Sequence, residues 1–465
     1  MENAQGQNAQ PHLEPGKQVP CLSDLHTDPP VKLDIQAAAT GPIRRLPMEL
    51  LSKVFCHYVE DWVDGRTRVV IRMLSRVCTL WRATARNTPQ LWTCVNLSSP
   101  PGLLDLQIIL SGSLPLTIYH LMWESPYRLN RQLARLQAYA ARWGGLTLAG
   151  SCGMLTDIHP ADLSSLFWAR IDLETYAYDT LKFLKAASNL RQLSILLEVD
   201  LYRTSTAMCT TFLGLPPLPC LTVLSLSLGE KCDLSVNAIL QGLVQCAATL
   251  QQLEISVHEN SKSLLSSPPP DDVTPILLPQ LRRAILPHDT HTILEGIDCP
   301  ALEEIKFYDV DYCLFDPFFT LYQLMDRSKP PLHTLVLDCV YGFDDNCFDT
   351  CLNKLDNLVI LTIVEADDGH GWLHEESGVE FIEFMESGSL LPKLTTFNIC
   401  SDTLDASDGA HVRLAEMTSA RMKGSPCFTW MRLWRDDRHW IEHTKKHPEI
   451  VLTDGELEGR RRGWF

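Results

Sequence analysis

One phrase recurs along this chain and limits what it can become: leucine, two residues, apolar, one residue, apolar. It stands at Leu190-Leu193-Ile195, Leu221-Leu224-Leu226, Leu250-Leu253-Ile255, Leu302-Ile305-Phe307, Leu332-Leu335-Leu337, Leu358-Leu361-Ile363 and Leu394-Phe397-Ile399. A degenerate copy is Leu281-Ala284-Leu286, and weaker versions stand upstream at Trp92-Val95-Leu97, Trp143-Leu146-Leu148 and Leu166-Ala169-Ile171. The leading leucines run from 190 to 394 in seven steps of about 29 residues. Alternation over a few residues makes a half-buried strand. No such unit can hide its own apolar face, so neighbours must stack. A doubly wound α/β sheet would also alternate strand and helix, but it needs no shared phrase and usually carries a glycine-rich ligand turn.

The segments between phrases have helical period. Val236, Ile239, Leu240, Leu243 and Val244 follow a capping Ser235, and Phe318, Leu321, Tyr322 and Met325 follow Asp316-Pro317. Both starts are good N-terminal chemistry. The predicted fold is an α/β repeat solenoid, leucine-rich-repeat-like, with parallel strands and return helices over residues 93–410. Its outward strand positions include Gln252, Glu254, Glu304, Lys306, Tyr308, Thr334 and Asp338. Solenoids bind along that face, so these are the candidate target contacts, although any exposed strand face carries such residues.

A different pattern precedes the array. Residues 1–41 are rich in Gln, Asn, Pro and Asp and read as a disordered leader. Leu46-Pro47 then reads as a helix entry, followed at helical spacing by Leu50, Leu51, Val54, Phe55, Tyr58 and Val59. A second segment repeats the period at Leu74, Val77, Cys78, Trp81 and Ala85. Two or three short helices over 42–92 are too few to cover such apolar content, so the module needs a neighbour.

The last segment, 411–465, reads as a cap and tail. WMRLWRDDRHWIEHTKKHPEI has helical spacing at Trp430, Leu433, Trp434 and Ile441, which predicts a helix closing the open end of the array. A peptide or nucleic-acid contact is the functional alternative. The run Ser263–Pro275 interrupts one unit as a loop insertion.

Composition excludes several classes. The net charge of −17 makes nucleic acid a poor bulk partner. Residues 42–97 nevertheless hold nine Lys/Arg against four Asp/Glu, a balance that suits an acidic protein. No apolar run reaches the ~18 residues that span a bilayer, and MENAQGQNAQPHLEPGKQVP has no secretory pattern. The expectation is an intracellular soluble chain, cytoplasmic or nuclear, with no membrane partner. Sixteen cysteines occur without any C-x-x-C, so reduced thiols acting as small hydrophobes are expected.

Chemistry is sparse. There is no phosphate loop, dinucleotide fingerprint or nucleophile elbow, and Gly150-Ser151-Cys152-Gly153 lacks the elbow's spacing. His370 and His374 are four apart, but a metal needs three or four convergent ligands. Asp309 and Asp311 follow a strand phrase and read as polar residues leaving it. No catalytic residue, metal or cofactor is predicted, and the chain is not expected to be an enzyme.

The opening module resembles an F-box, the short helical motif that docks on the adaptor subunit of cullin-RING ubiquitin ligases. The matching residues are Leu46-Pro47, Glu49-Leu50-Leu51, Val54-Phe55, Val77-Cys78, Trp81-Arg82, Thr88-Pro89 and Leu91-Trp92, about fifty of the 465. TPQLWTCVNLS followed by leucine-rich phrases is similar to the large F-box set of mushroom-forming fungi. Glu60 to Val70 is longer and more polar than the middle of the best-known members. The resemblance implies a substrate receptor of an SCF-type ligase. Leu46, Pro47, Leu50, Leu51, Val54, Phe55, Val77 and Trp81 would be divided between internal packing and the adaptor, and the repeats would hold an unknown target. The alternative is a non-catalytic repeat scaffold in which the helices only cap the array.

Overall fold

The computed structural model describes residues 46–60, 67–120, 126–150, 155, 162–173, 180–197, 213–229, 234–257, 274–310, 316–340, 346–364, 381–383, 385–386, 390–400, 410–424, 430–435, 439–444 and 447–453. The leader 1–41, His370, His374, Asp311, Ser151 to Gly153 and most of the 263–275 insertion lie outside the described residues.

Strands form at every leucine phrase. In chain order they are β1 (Cys94–Asn96), β2 (Leu116–Tyr119), β3 (Trp143–Gly150), β4 (Trp168–Leu173), β5 (Gln192–Leu197), β6 (Val223–Leu228), β7 (Gln252–Val257), β8 (Ile276–Leu277), β9 (Arg283–Pro287), β10 (Ile297–Asp298), β11 (Glu304–Val310), β12 (Thr334–Val340), β13 (Ile360–Val364), β14 (Thr396–Cys400), β15 (Trp430–Arg435), β16 (His439–Thr444) and β17 (His447–Thr453). Strands β8 and β10 pair with each other, and the rest form one 15-stranded sheet whose spatial order is the chain order. The pairing is parallel from β1 through β15. A doubly wound sheet reverses its order at a switch point; this one never does. It is an α/β repeat array.

Register explains the recurrent phrase. Its middle apolar residue forms one continuous row, Val95, Ile118, Leu146, Ala169, Leu193, Leu224, Leu253, Ala284, Ile305, Leu335, Leu361 and Phe397. All twelve are buried. A parallel row beside it includes Leu148, Ile171, Ile195, Leu226 and Ile255, then Leu286, Phe307, Leu337, Ile363 and Ile399. Because the side-chain period of a strand is two, a one-residue slip would expose the whole row. Strand β2 escapes the phrase because Pro115 stands where the leading leucine belongs and His120 at the last apolar position, yet Leu116 and Ile118 are buried like the others.

Backbone bonding repeats with the same period. One carbonyl before each strand accepts two successive N–H groups of the next unit: Phe167 from Arg191 and Gln192, Arg191 from Thr222 and Val223, Thr222 from Gln251 and Gln252, and onward to Val359 from Thr395 and Thr396. Each unit thus satisfies backbone N–H groups of its successor.

Nine helices occur among the described residues: α1 (Met48–Glu60), α2 (Thr67–Val77), α3 (Thr79–Arg86), α4 (Pro101–Leu110), α5 (Pro126–Gln137), α6 (Val236–Leu243), α7 (Pro317–Ser328), α8 (Asn346–Leu352) and α9 (Ala410–Gly424). Two begin as their sequences direct. Ser235 Oγ accepts from Ala238 N at 3.2 Å, and an Asp316 carboxylate oxygen accepts from Phe318 N at 2.8 Å. The inward faces follow, with Val236, Ile239, Leu240, Leu243, Phe318, Leu321 and Met325 buried. Val244, expected on the same face, is exposed because a 3-10 turn, Val244–Cys246, begins there.

The expectation of a helix in every unit needs correction. Lys182–Ala186 and His288–Gly296 return by 3-10 turns. The second lies in the shortest interval, Leu281 to Leu302, where too few residues remain for an α-helix and its two connections. A 3-10 turn rises faster per residue and closes the same gap. Arginines then tie return segments together. Arg327 donates to Leu294 O and Ile297 O, both at 2.7 Å. Buried Arg421 reaches the Met385, Leu390 and Leu391 carbonyls, and burial lowers its pKa.

The helical reading of the tail is also corrected. Trp430, Leu433, Trp434 and Ile441 lie on β15 and β16, with β15 parallel to β14 and the last two strands antiparallel. A short aromatic run fits both periods. Beside the open edge of β14, extended backbone gains a full ladder of hydrogen bonds that a helix would leave unused. Met431 and Leu433 accordingly stand in register with Phe397 and Ile399.

Cysteines behave as packing residues. Nine are free thiols among the described residues, and burial pushes Cys246 and Cys299 up to about 12 and Cys351 higher still.

Candidate docking site

Helices α1 to α3 have a small core of their own. It consists of Leu51, Phe55, Val70, Ile71, Leu74, Ala85, Leu91 and Trp92, separate from the large core of the array. The Phe55 ring meets Trp81 edge-on at 5.0 Å. Trp92 Nε1 donates to Ala85 O at 2.8 Å, and the Ser52 and Thr88 hydroxyls share a bond of 2.8 Å. Cys78, extended at φ −161°, separates α2 from α3, which resolves the second periodic segment into two helices. Leu110 of α4 packs against this core from the side of the array.

The apolar residues of α1 divide into two stripes. Leu51 and Phe55 face inward and are sealed, while Leu50, Val54 and Tyr58 are 47%, 52% and 46% exposed. Successive residues on a helix point 100° apart, so adjacent leucines cannot share one direction. Pro47 carries the first helical hydrogen bonds, accepting from Leu50 and Leu51 N at 3.1 Å; it is exposed, and Leu46 is half-buried. Helix α2 repeats the division: Val70, Ile71 and Leu74 are inside, while Val69, Met73 and Val77 are more than half exposed. Of the eight module positions singled out by sequence, Leu50, Val54, Pro47 and Val77 lie outward. Leu51 and Phe55 are interior and Trp81 is half-buried, so they shape the face from beneath. Met48, Tyr58, Val69 and Met73 join the exposed face. The four-residue spacing of Val69, Met73 and Val77 within TRVVIRMLSRV was the available signal, hidden by the interleaved inner stripe. Exposed Lys53, Arg72, Arg76, Arg82 and Arg86 make the module basic.

The seven strand-face candidates do assemble. Glu304 pairs in register with Thr334, and Tyr308 with Asp338; Gln252 stands beside Arg283 and Glu254 beside Ile285. Arg283 Nε meets Glu304 at 3.0 Å, and Lys306 Nζ meets Asp338 at 2.8 Å while lying 5.5 Å from the Tyr308 ring centre. The ladder between β7 and β9 stops at Glu254–Ile285. The alternation that brings Arg283 N to Gln251 O would bring residue 287 to Ile255 O, and Pro287 has no N–H to give. Tyr308 spans that gap, its hydroxyl donating to Ile255 O at 3.4 Å. Burial, then the field of Glu254 and Asp309, pushes the phenol up to about 12; Asp338 adds to this and a Ser256 hydrogen bond opposes it. Just beyond, His288, Asp309 and Cys339 occupy equivalent positions on three adjacent strands, all with left-handed φ of 46°, 51° and 54°. His288 lies just past the end of β9, whereas β11 and β12 pair again at Val310–Val340, and His288 Nδ1 lies 2.5 Å from Asp309 O.

Among the described residues no group of three metal-ligating side chains converges, and no helix is long and apolar enough to cross a membrane. A shallow depression at the strand mouths, lined by Arg191, Cys220, Thr222, Thr249 and Gln251, offers a thiol without a neighbouring base. No protein-family model matches the chain, and no curated protein matches it at a significant level.

Proposed function

We propose that this chain is an F-box substrate receptor of a cullin-RING (SCF-type) ubiquitin ligase. Helices α1 to α3 dock on the adaptor subunit, and the leucine-rich repeat array presents a target for ubiquitination. The observation that carries this reading is the outward stripe of Leu50, Val54 and Tyr58 on a module whose own core is already closed by Leu51 and Phe55. A fully buried aliphatic side chain contributes about 1.5–3 kcal/mol, so a few such anchors suffice for a stable complex. The basic surround adds attraction for an acidic adaptor. In this role the chain supplies proximity and no nucleophile.

The test is co-purification. The full chain retains the adaptor, and the double variant Leu50→Asp with Val54→Asp loses it while keeping its fold. Equal retention by both proteins sinks the proposal. A second reading has one observation in its favour: Leu110 packs against the module's core, as it would if the helices only capped a repeat scaffold. Under that reading the double variant leaves every partner in place.

A further inference from the structure

The strand face carries more information than its list of polar residues. Its charges are mostly self-satisfied, Arg283 with Glu304 and Lys306 with Asp338. Glu254 is different. It is half-buried, it stands in register between Ser225 and Ile285, and among the described residues it has no ion-pair partner. On its β6 side and further along its own strand, the same face carries serines. Ser194 and Ser225 precede it across β5 and β6, and the Ser227 and Ser256 hydroxyls bond each other at 3.0 Å in the next row. This leaves a low floor beside a rigid wall, the Tyr308 ring pinned across the β7–β9 gap.

We infer that this floor is the target-docking surface and that its occupant is an extended protein segment bearing an arginine or lysine, whose cation meets Glu254. A half-buried carboxylate without a partner is an unfavourable arrangement that an incoming cation relieves. An anionic ligand would meet Glu254, Asp309 and Asp338, while the nearby cations Lys306 and Arg283 are already engaged by Asp338 and Glu304. Burial first, and then the same three carboxylates, favour the protonated Tyr308 phenol, a neutral hydroxyl beside the guest chain. The short serine floor admits a strand-like backbone, and the hydroxyls offer it hydrogen bonds. The biological meaning of this surface rests on the receptor reading, but its chemistry does not involve the adaptor.

The experiment is selection of displayed random 12-residue peptides on the full chain, followed by calorimetry with one enriched peptide. Enriched sequences share an arginine or lysine. Replacing that arginine by neutral citrulline, or a lysine by acetyl-lysine, weakens binding about tenfold. Glu254→Gln produces the same loss, while Glu416→Gln, at an exposed position on α9, leaves affinity unchanged. Failure to enrich a basic residue, or equal losses in the two variants, overturns the inference. Adaptor retention is unaffected by Glu254→Gln, so a chain that binds basic peptides without the adaptor refutes the receptor reading alone.

Discussion

The helical module and the repeat array treat leucine in opposite ways. In the array the two core rows are sealed from β1 to β14, and each new unit covers the apolar edge of the last. In the module α1 and α2 each leave an apolar stripe open. Among the described residues, seven of the fourteen large exposed hydrophobics fall between Met48 and Val77, so apolar exposure is concentrated in the module. A repeat satisfies itself by repetition, whereas a three-helix unit beside one return helix has inward and outward stripes and only one of them can be filled. The lesson is that exposed apolar residues inform by their clustering and by the completeness of the core beneath them.

The comparison breaks most visibly in the array's interior. Phe307→Ala removes a buried ring aligned between Leu286 and Leu337 and should cost about 3–5 kcal/mol in urea unfolding. A loss below about 1 kcal/mol would mean the row is not the seat of stability. Leu51→Ala should cost about 2–4 kcal/mol, confined to the module. Hydrogen exchange would then accelerate in α1 to α3 while β5 to β13 keep their protection. Uniform acceleration would show the two regions to be one cooperative unit.

Smaller effects sharpen the contrast. Asp316→Ala deletes the bond to Phe318 N and should lower stability by about 0.5–2 kcal/mol, with restoration by Asp316→Ser. Tyr308 gives a pH signature. Its folded pKa of about 12 lies above the value of 10 expected when unfolded, so its contribution is full below pH ~10 and is lost as pH rises through ~12. Phenolate absorbance should show one late tyrosine that Glu254→Gln moves downward. An unchanged titration would place Glu254 outside the phenol's field. Least of all, Leu50→Asp with Val54→Asp should shift unfolding by no more than about 0.5 kcal/mol per site, since both side chains already face water. A loss comparable to that of Leu51→Ala would put them in the core.

By itself the sequence determined the repeat. Leucine at fixed offsets before a strand is a local instruction, and stacking copies it without any long-range decision, so the strands that carry the phrase were legible from Val95 to Ile399, while β2, β8 and β10 were not. The caps at Ser235 and Asp316 were legible for the same reason, since each bond closes within three residues. Tertiary structure decided the rest. It chose strand over helix for Trp430 and Leu433, because the open β14 edge offers bonds that local period cannot announce. It sorted Leu50 from Leu51, which are adjacent in sequence and nearly a right angle apart on the helix. Among the described residues it also left Glu254 without an ion-pair partner while pairing Glu304 and Asp338, because ion pairs across strands depend on register and on which cation reaches, and both are fixed only once the units have stacked.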